Sequence, residues 1–267
     1  MILPGSYANG FAPRDGQPLY PELWRGCVGA WAPCLGPTGL TLRDWSGFAN
    51  HGTLTNMDAG SDWVSSSKCT ALDFDGTNDF VDCGTRLTTA VSGAVSVSMW
   101  VRFRSRASLQ YLFANVNVAG DSCNFGLIFG LTANKLGWTQ SAASQDAVSA
   151  GSVTDGEWHH VCATRGGTTG AWRIGLYIDG SGVVTTTTVN PGSSAGALAI
   201  GRAGSFNGLY SNVIVGDARL YNREIAHKEV LLLASHPSAA YMIAPRRRSA
   251  LVAGFNRRRR LLVGAGS

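Results

Sequence analysis

The chain has 267 residues, 45% of them hydrophobic and only 15% charged, with 34 glycines. That balance excludes a disordered polymer and disfavours long helices, while suiting short strands joined by tight turns. The formal charge of +5 is uneven: residues 246–267 hold seven arginines and no other charged residue, so a slightly acidic body precedes a basic tail.

Residues 1–22 carry Pro4, Pro13, Pro18 and Pro21 among several glycines and read as an extended N-terminal arm. The globular body is expected over residues 23–236. Its first strands are VGAWA, ALDFDG and DFVDCG. In AVSVSMWVRF, Val95, Val97, Met99, Val101 and Phe103 share one face, with Ser96, Ser98, Trp100 and Arg102 on the other, which predicts a half-buried strand. Further strands are expected at YLFANVN, NFGLIFGL, KLGWTQ and WHHVCATR. AWRIGLYIDG places Trp172, Ile174, Leu176 and Ile178 on one face, and Asp179 and Gly180 then turn into VVTTTTV, a hairpin. ALAIGR and the stretch Leu209 to Tyr221 complete the strands. Asn222 predicts the cap of one short helix within NREIAHKEVLLLA, ending before Pro237. Residues 237–267 read as an Arg-rich C-terminal arm. This many short strands predicts an all-β, two-sheet antiparallel sandwich with extended arms at both ends.

Six motifs in order carry a resemblance. DWSGFANHGTL (44–54), ALDFDGTNDFVDCG (71–84), VSVSMWVR, DGEWHHVCATR, LYIDG and the closing LAIGR with ARLYNREI resemble the signatures of laminin-G-like domains in the concanavalin A-like lectin/glucanase superfamily. The resemblance implies a jelly roll whose strand near VGAWA lies beside the one near ARLY. It also implies binding of carbohydrate or protein, with calcium in some members, and the family is frequent in phage virion and bacterial surface proteins. The family's paired carboxylates before the closing strand are missing from GLYSNVIVGDARLY. No cofactor is therefore expected, with calcium left possible but unsupported by a paired-carboxylate motif.

Chemistry-bearing residues are few. Glu157, His159 and His160 sit in DGEWHHV, but neighbouring strand residues face opposite ways, so the histidines are not expected to share a metal. Asp73 and Asp75 have the spacing of one face but flank a turn, and no paired-carboxylate pattern of a glycoside hydrolase occurs. DWSGFANHG reads as local turn chemistry. Cys27, Cys34, Cys69, Cys83, Cys123 and Cys162 match no zinc spacing and are expected as free thiols. Trp100 beside Arg102, together with Tyr111 and Trp138, are the candidate carbohydrate-binding residues; the competing reading places such tryptophans in the core. Arg246, Arg247, Arg248, Arg257, Arg258, Arg259 and Arg260 form a candidate docking arm for carboxylates or phosphates, on protein or nucleic acid.

The expectation is a non-enzymatic virion structural protein, a phage capsid decoration protein or a tail or fibre component, docked on other virion proteins through its arms. Self-association and contact with surface glycans stay open. A bacterial surface adhesion module is the alternative, and a glycoside hydrolase the remotest reading. The start MILPGSYANGFAPRDG lacks the regions of a signal peptide, and no apolar run reaches the roughly 18 residues of a membrane span. Synthesis in a host cytoplasm and a place in the virion are expected, with the cell surface as the alternative location.

Overall fold

Alternation along Val95–Phe103 organises the molecule, because Val95, Val97, Met99, Val101 and Phe103 all enter one apolar layer between two sheets. The computed structural model describes residues 18–88, 92–104, 109–116, 123–140, 147–192, 194, 196–203 and 208–243. Its strands are β1 (Cys27–Trp31), β2 (Thr41–Leu42), β3 (Gly52–Thr55), β4 (Trp63–Ser65), β5 (Thr70–Asp75), β6 (Phe80–Asp82), β7 (Val95–Phe103) and β8 (Gln110–Val116). They continue as β9 (Cys123–Phe129), β10 (Leu136–Thr139), β11 (Ala147–Val148), β12 (Trp158–Thr168), β13 (Ala171–Ile178), β14 (Ser181–Thr187), β15 (Leu198–Ile200) and β16 (Asn212–Tyr221). One α-helix follows, α1 (His227–Ser235), and no described helix is long and apolar enough to cross a membrane.

The first sheet runs β14-β13-β12-β7-β16-β5-β4, with β1 added alongside β16; the second runs β11-β10-β9-β8-β15-β6-β3-β2. The strand near VGAWA does lie antiparallel to the closing strand, with Ala30 opposite Arg219 and Trp31 opposite Ala218. Trp31, Phe74, Phe103, Phe113, Phe125, Phe129 and Trp138 are fully buried, each such side chain contributing roughly 1.5–3 kcal/mol by leaving water. The DWSGFANHG turn is built as its residues suggest. Asp44 accepts the N–H groups of Ala30 at 2.9 Å, Ser46 at 2.8 Å and Asn50 at 2.9 Å, while Asn50 donates to the Val28 carbonyl at 3.0 Å.

Three expectations need correction. First, β7 is not half-buried. A second apolar cluster, including Leu23, Trp24, Tyr221, Ile225, Val230, Leu233 and Tyr241, covers the outer face of the first sheet, so Ser96, Ser98 and Trp100 are buried as well. Second, the helix starts five residues after Asn222. Glu229 accepts the Ala226 N–H at 2.8 Å, and Arg223 grips that carboxylate with both terminal nitrogens, at 2.9 and 2.6 Å. This satisfies a helix-start donor that no side chain at Ala226 could; Asn222 instead donates its N–H to Gly26. Third, the body extends into both arms. Pro18 bridges Ile243, and Trp24 Nε1 donates to the Ala240 carbonyl at 2.9 Å, so residues 18–22 and 237–243 pack with the sandwich. The rest of both arms, including Arg246, Arg247, Arg248, Arg257, Arg258, Arg259 and Arg260, lies outside the described residues.

Candidate functional site

The four sequence candidates for sugar binding do not converge. Trp138 is fully buried between the sheets, stacked on Phe125 with ring centroids 5.6 Å apart. Trp100, 4% exposed, is on the outer face of the first sheet beneath α1, where its indole N–H donates to the Leu233 carbonyl at 2.9 Å. Neither indole offers an open face for a pyranose ring, which corrects the stacking role; the core reading accounts for both. Arg102 follows Trp100 on that sheet and is half-buried, opposite Ile214 and Trp158. Tyr111 is on the other sheet, half-buried and packed on Ala114, Val116 and Cys123. Its ring rests against Gly126, where an added Cβ would come within 2.8 Å of it. Burial pushes the Tyr111 hydroxyl up to about 12, so it stays a neutral donor at ordinary pH.

The acidic candidates are occupied with structure. Asp73 pairs with Arg104; burial holds its carboxyl above the usual range even against that guanidinium. Burial also acts on Asp75, but the N–H groups of Thr77 and Asn78 bonded to it prevail and lower it. Asp79 accepts the Asp75 N–H at 3.1 Å and is raised to about 6, chiefly by burial. The two histidines part as strand geometry requires. His159 meets Asp179 at 2.7 Å, whereas His160 is buried against Ser98 at 2.8 Å and pushed down to about 3 by desolvation. Among the described residues no cluster of three or more His, Cys, Asp or Glu side chains could hold a metal ion.

Asp217, in the stretch that departs from the family's acidic pair, is buried and bonded to Arg219 at 2.9 Å and to the Tyr241 hydroxyl at 3.3 Å. Burial raises it to about 6, with Arg219 pulling the other way. The guanidinium also lies over the Tyr241 ring at 4.4 Å and the Trp24 ring at 5.1 Å. This pair anchors the cover of the sheet and is closed to ligand.

An open concavity lies at the free edge of the same sheet. Gly170 just before β13, Ala171 and Arg173 at its start, Thr186 and Thr187 at the end of β14 and Thr188 just after it line a depression of about 670 Å³. Thr186 stands opposite Arg173 in the ladder, so a hydroxyl and a guanidinium share one face. Arg173 bonds Glu224 at 2.7 Å, and both are solvent-accessible, at 54% and 33%. Glu224 reaches Arg173 by lying flat on Gly166, where an added Cβ would fall 1.7 Å from its Oε2. Behind them, Asn190 accepts the Gly170 N–H at 2.8 Å and the Trp172 indole N–H at 3.0 Å, holding the exit of β14 against the hairpin. The corner thus offers hydroxyls, backbone groups and a paired cation and anion to a polar ligand. Motif reading missed it. The visible signal was the TTTT run, an uncharged and hydroxyl-rich strand end beside a hairpin.

A family model described as the concanavalin A-like lectin/glucanases superfamily matches residues 75–231, and no curated protein matches the sequence. Among solved structures, Trypanosoma rangeli sialidase in complex with sialic acid superposes with a TM-score of 0.57 at 18% identity, covering 79% of this chain and 33% of that one. A mutant of that sialidase displaying trans-sialidase activity gives 0.58 at 17%, covering 83% and 34%. The botulinum neurotoxin serotype C1 binding domain gives 0.55 at 14%, covering 79% and 52%. The chain therefore spans a third to a half of the structures it matches, and at these identities the likeness is one of fold. It nevertheless overturns the expectation of a non-enzyme drawn from missing carboxylate patterns, because chains that carry this sandwich include sialidases.

Proposed function

The chain belongs to the concanavalin A-like lectin/glucanase superfamily, and from that premise we propose that it binds carbohydrate at the open corner formed by β13 and β14. The observation that carries this reading is the depression in which Arg173, paired with Glu224 beside it, and the threonines Thr186–Thr188 present polar groups to solvent. Sugar hydroxyls are recognised by such paired donors and acceptors, and a charged pair bonds them more strongly than neutral groups do. Arg173 would also meet an anionic sugar such as the sialic acid seen in the sialidase complex. A glycan array with sialylated and neutral sugars tests the reading. Wild-type protein should bind a defined subset, and Arg173→Ala and Thr186→Ala should each lose it while remaining folded; unchanged binding in both variants refutes the site.

A narrower placement, a virion protein docked through its arms, is supported by the arginine clusters 246–248 and 257–260 on an otherwise slightly acidic chain. Removing residues 246–267 should abolish particle association if the clusters dock it, and normal incorporation would refute that role.

A further inference from the structure

His159 and His160 are neighbours on β12, yet only His159 is placed for chemistry. His160 meets the Ser98 hydroxyl inside the protein, where its Nδ1 has no hydrogen-bond partner among the described residues. His159 points the other way and is bonded at both ring nitrogens. Its Nδ1 meets the Asp179 carboxylate at 2.7 Å, and its Nε2 meets both the N–H and the hydroxyl of Thr154, at 3.1 and 3.0 Å. A backbone N–H can only donate, so Nε2 is the unprotonated acceptor and the ring proton sits on Nδ1, toward Asp179. That is the tautomer in which an imidazole takes a proton from a hydroxyl.

Three separate segments hold the set. Thr154 is in the loop before β12. It is pinned on one side by buried Val153, whose N–H reaches the Asn134 carbonyl at 3.2 Å, and on the other by Gly156, which donates to the Phe103 carbonyl at 2.9 Å. Asp179 is in the turn between β13 and β14 with φ of 52°, a left-handed conformation that Asp tolerates. Its N–H donates to the His160 carbonyl and its Oδ1 accepts the His160 N–H, both at 2.8 Å, which aims Oδ2 at His159. Burial acts to raise this carboxyl, but the bonds from His159 and from the His160 N–H prevail and hold it below its usual range. Thr154 and Asp179 are exposed, so a small substrate can reach the hydroxyl.

We propose that Thr154, His159 and Asp179 form an acyl-transfer site for small esters with a good leaving group. Thr154 is the nucleophile, His159 the general base, and Asp179 the group that positions the imidazole. The Thr154 oxygen bonds to the ester carbonyl carbon as its proton passes to His159 Nε2. The bond from that carbon to the leaving-group oxygen then breaks, and the departing oxygen takes the proton. Water attacks the resulting acyl-threonine by the same route, giving Nε2 a proton that returns to Thr154 as the acid is released. An ester and water become an acid and an alcohol or phenol, with nothing oxidised or reduced. The site lies at the opposite end of the β13–β14 hairpin from the glycan corner, and neither depends on the other.

The full chain is mixed with 4-nitrophenyl acetate, quenched in acid within the first turnovers, digested and mapped by mass spectrometry. Acetyl on Thr154 is expected, together with release of 4-nitrophenol. Thr154→Ser should keep the reaction, Thr154→Ala should abolish the adduct, and His159→Gln should slow acylation about 100-fold, the lower end of what a positioned base contributes. Asp179→Asn keeps the turn, since Asn also accepts the left-handed conformation. Its amide N–H would donate to Nδ1 and leave the ring proton on Nε2, where it blocks transfer from Thr154. Acylation in this variant should fall about 100-fold, with the imidazole nitrogen shifts reporting the exchanged tautomer and circular dichroism an intact fold, a split that a purely structural Asp179 would not give. No acetyl on Thr154, undiminished 4-nitrophenol release in Thr154→Ala, or unchanged acylation in Asp179→Asn would each overturn the proposal.

Discussion

Two arginine–carboxylate pairs sit on the outer face of the first sheet and have opposite uses. Arg219 and Asp217 are 0% and 2% exposed beneath the cover made by α1 and the terminal segments, whereas Arg173 and Glu224 are 54% and 33% exposed at the open edge. The chemical groups are alike, so the difference lies in solvent access. Burial turns the first pair into a structural commitment, because either charge left alone inside the protein would be costly. Exposure makes the second pair weak as a stabiliser and available as a recognition element.

Removing one partner of the covered pair should produce the largest effect. Asp217→Ala leaves the Arg219 guanidinium buried without its carboxylate, and urea unfolding should show a loss of about 3–5 kcal/mol. A loss below 1 kcal/mol would mean that the cover is looser than the packing implies.

The covered face should also respond to pH through two groups of opposite sign. Asp217 is raised in the folded protein to about 6 from 3.8, so its contribution is present below pH 3.8 and is lost as pH rises through about 6. His160 is depressed to about 3 from 6.5, so its contribution is present above pH 6.5 and is lost as pH falls toward 3. Each slope is at most about 1.4 kcal/mol per pH unit, and between roughly pH 4 and 6 they oppose. Urea midpoints measured across that window should fall more steeply with acid in Asp217→Asn than in wild type. In His160→Asn they should fall more steeply with rising pH. Parallel profiles in all three proteins would contradict the assignment.

The covered face was partly legible and the open corner was not. Period-two alternation in AVSVSMWVRF and AWRIGLYIDG identified the inward residues of β7 and β13, because a strand has only two faces. It could not show what lies over the outward face, since the cover comes from residues 18–35 and 225–241, far away in the chain. Trp100 was therefore read as a candidate for exposure when it lies under Leu233. Arg165 makes the same point: it sits between Trp138 and Trp172, at 5.9 and 5.4 Å, and donates to the Gly93 carbonyl, contacts that no local pattern announces. The corner joins β13, β14 and Glu224 through a bare glycine, and such a juxtaposition exists only after folding.

Effects at the open corner should be smaller on stability and visible in binding. Gly166→Ala places a methyl group where Glu224 lies, so Glu224 must move off the sheet and release Arg173. Glycan affinity should fall about tenfold, equivalent to about 1.4 kcal/mol, while urea stability stays within about 1 kcal/mol. Arg173→Ala should alter stability least of all, within about 0.5 kcal/mol, as expected for an exposed pair.

The central claim is that ligand enters at the open edge and leaves the covered face untouched. Amide chemical shifts of isotope-labelled protein, followed while an array-selected glycan is titrated in, test it most directly. The account predicts saturable shifts at Gly170, Ala171, Arg173 and Thr186–Thr188, with Trp100, Tyr111 and Trp138 unmoved. Shifts centred on Tyr111 or Trp100, with the β13–β14 corner silent, would contradict it.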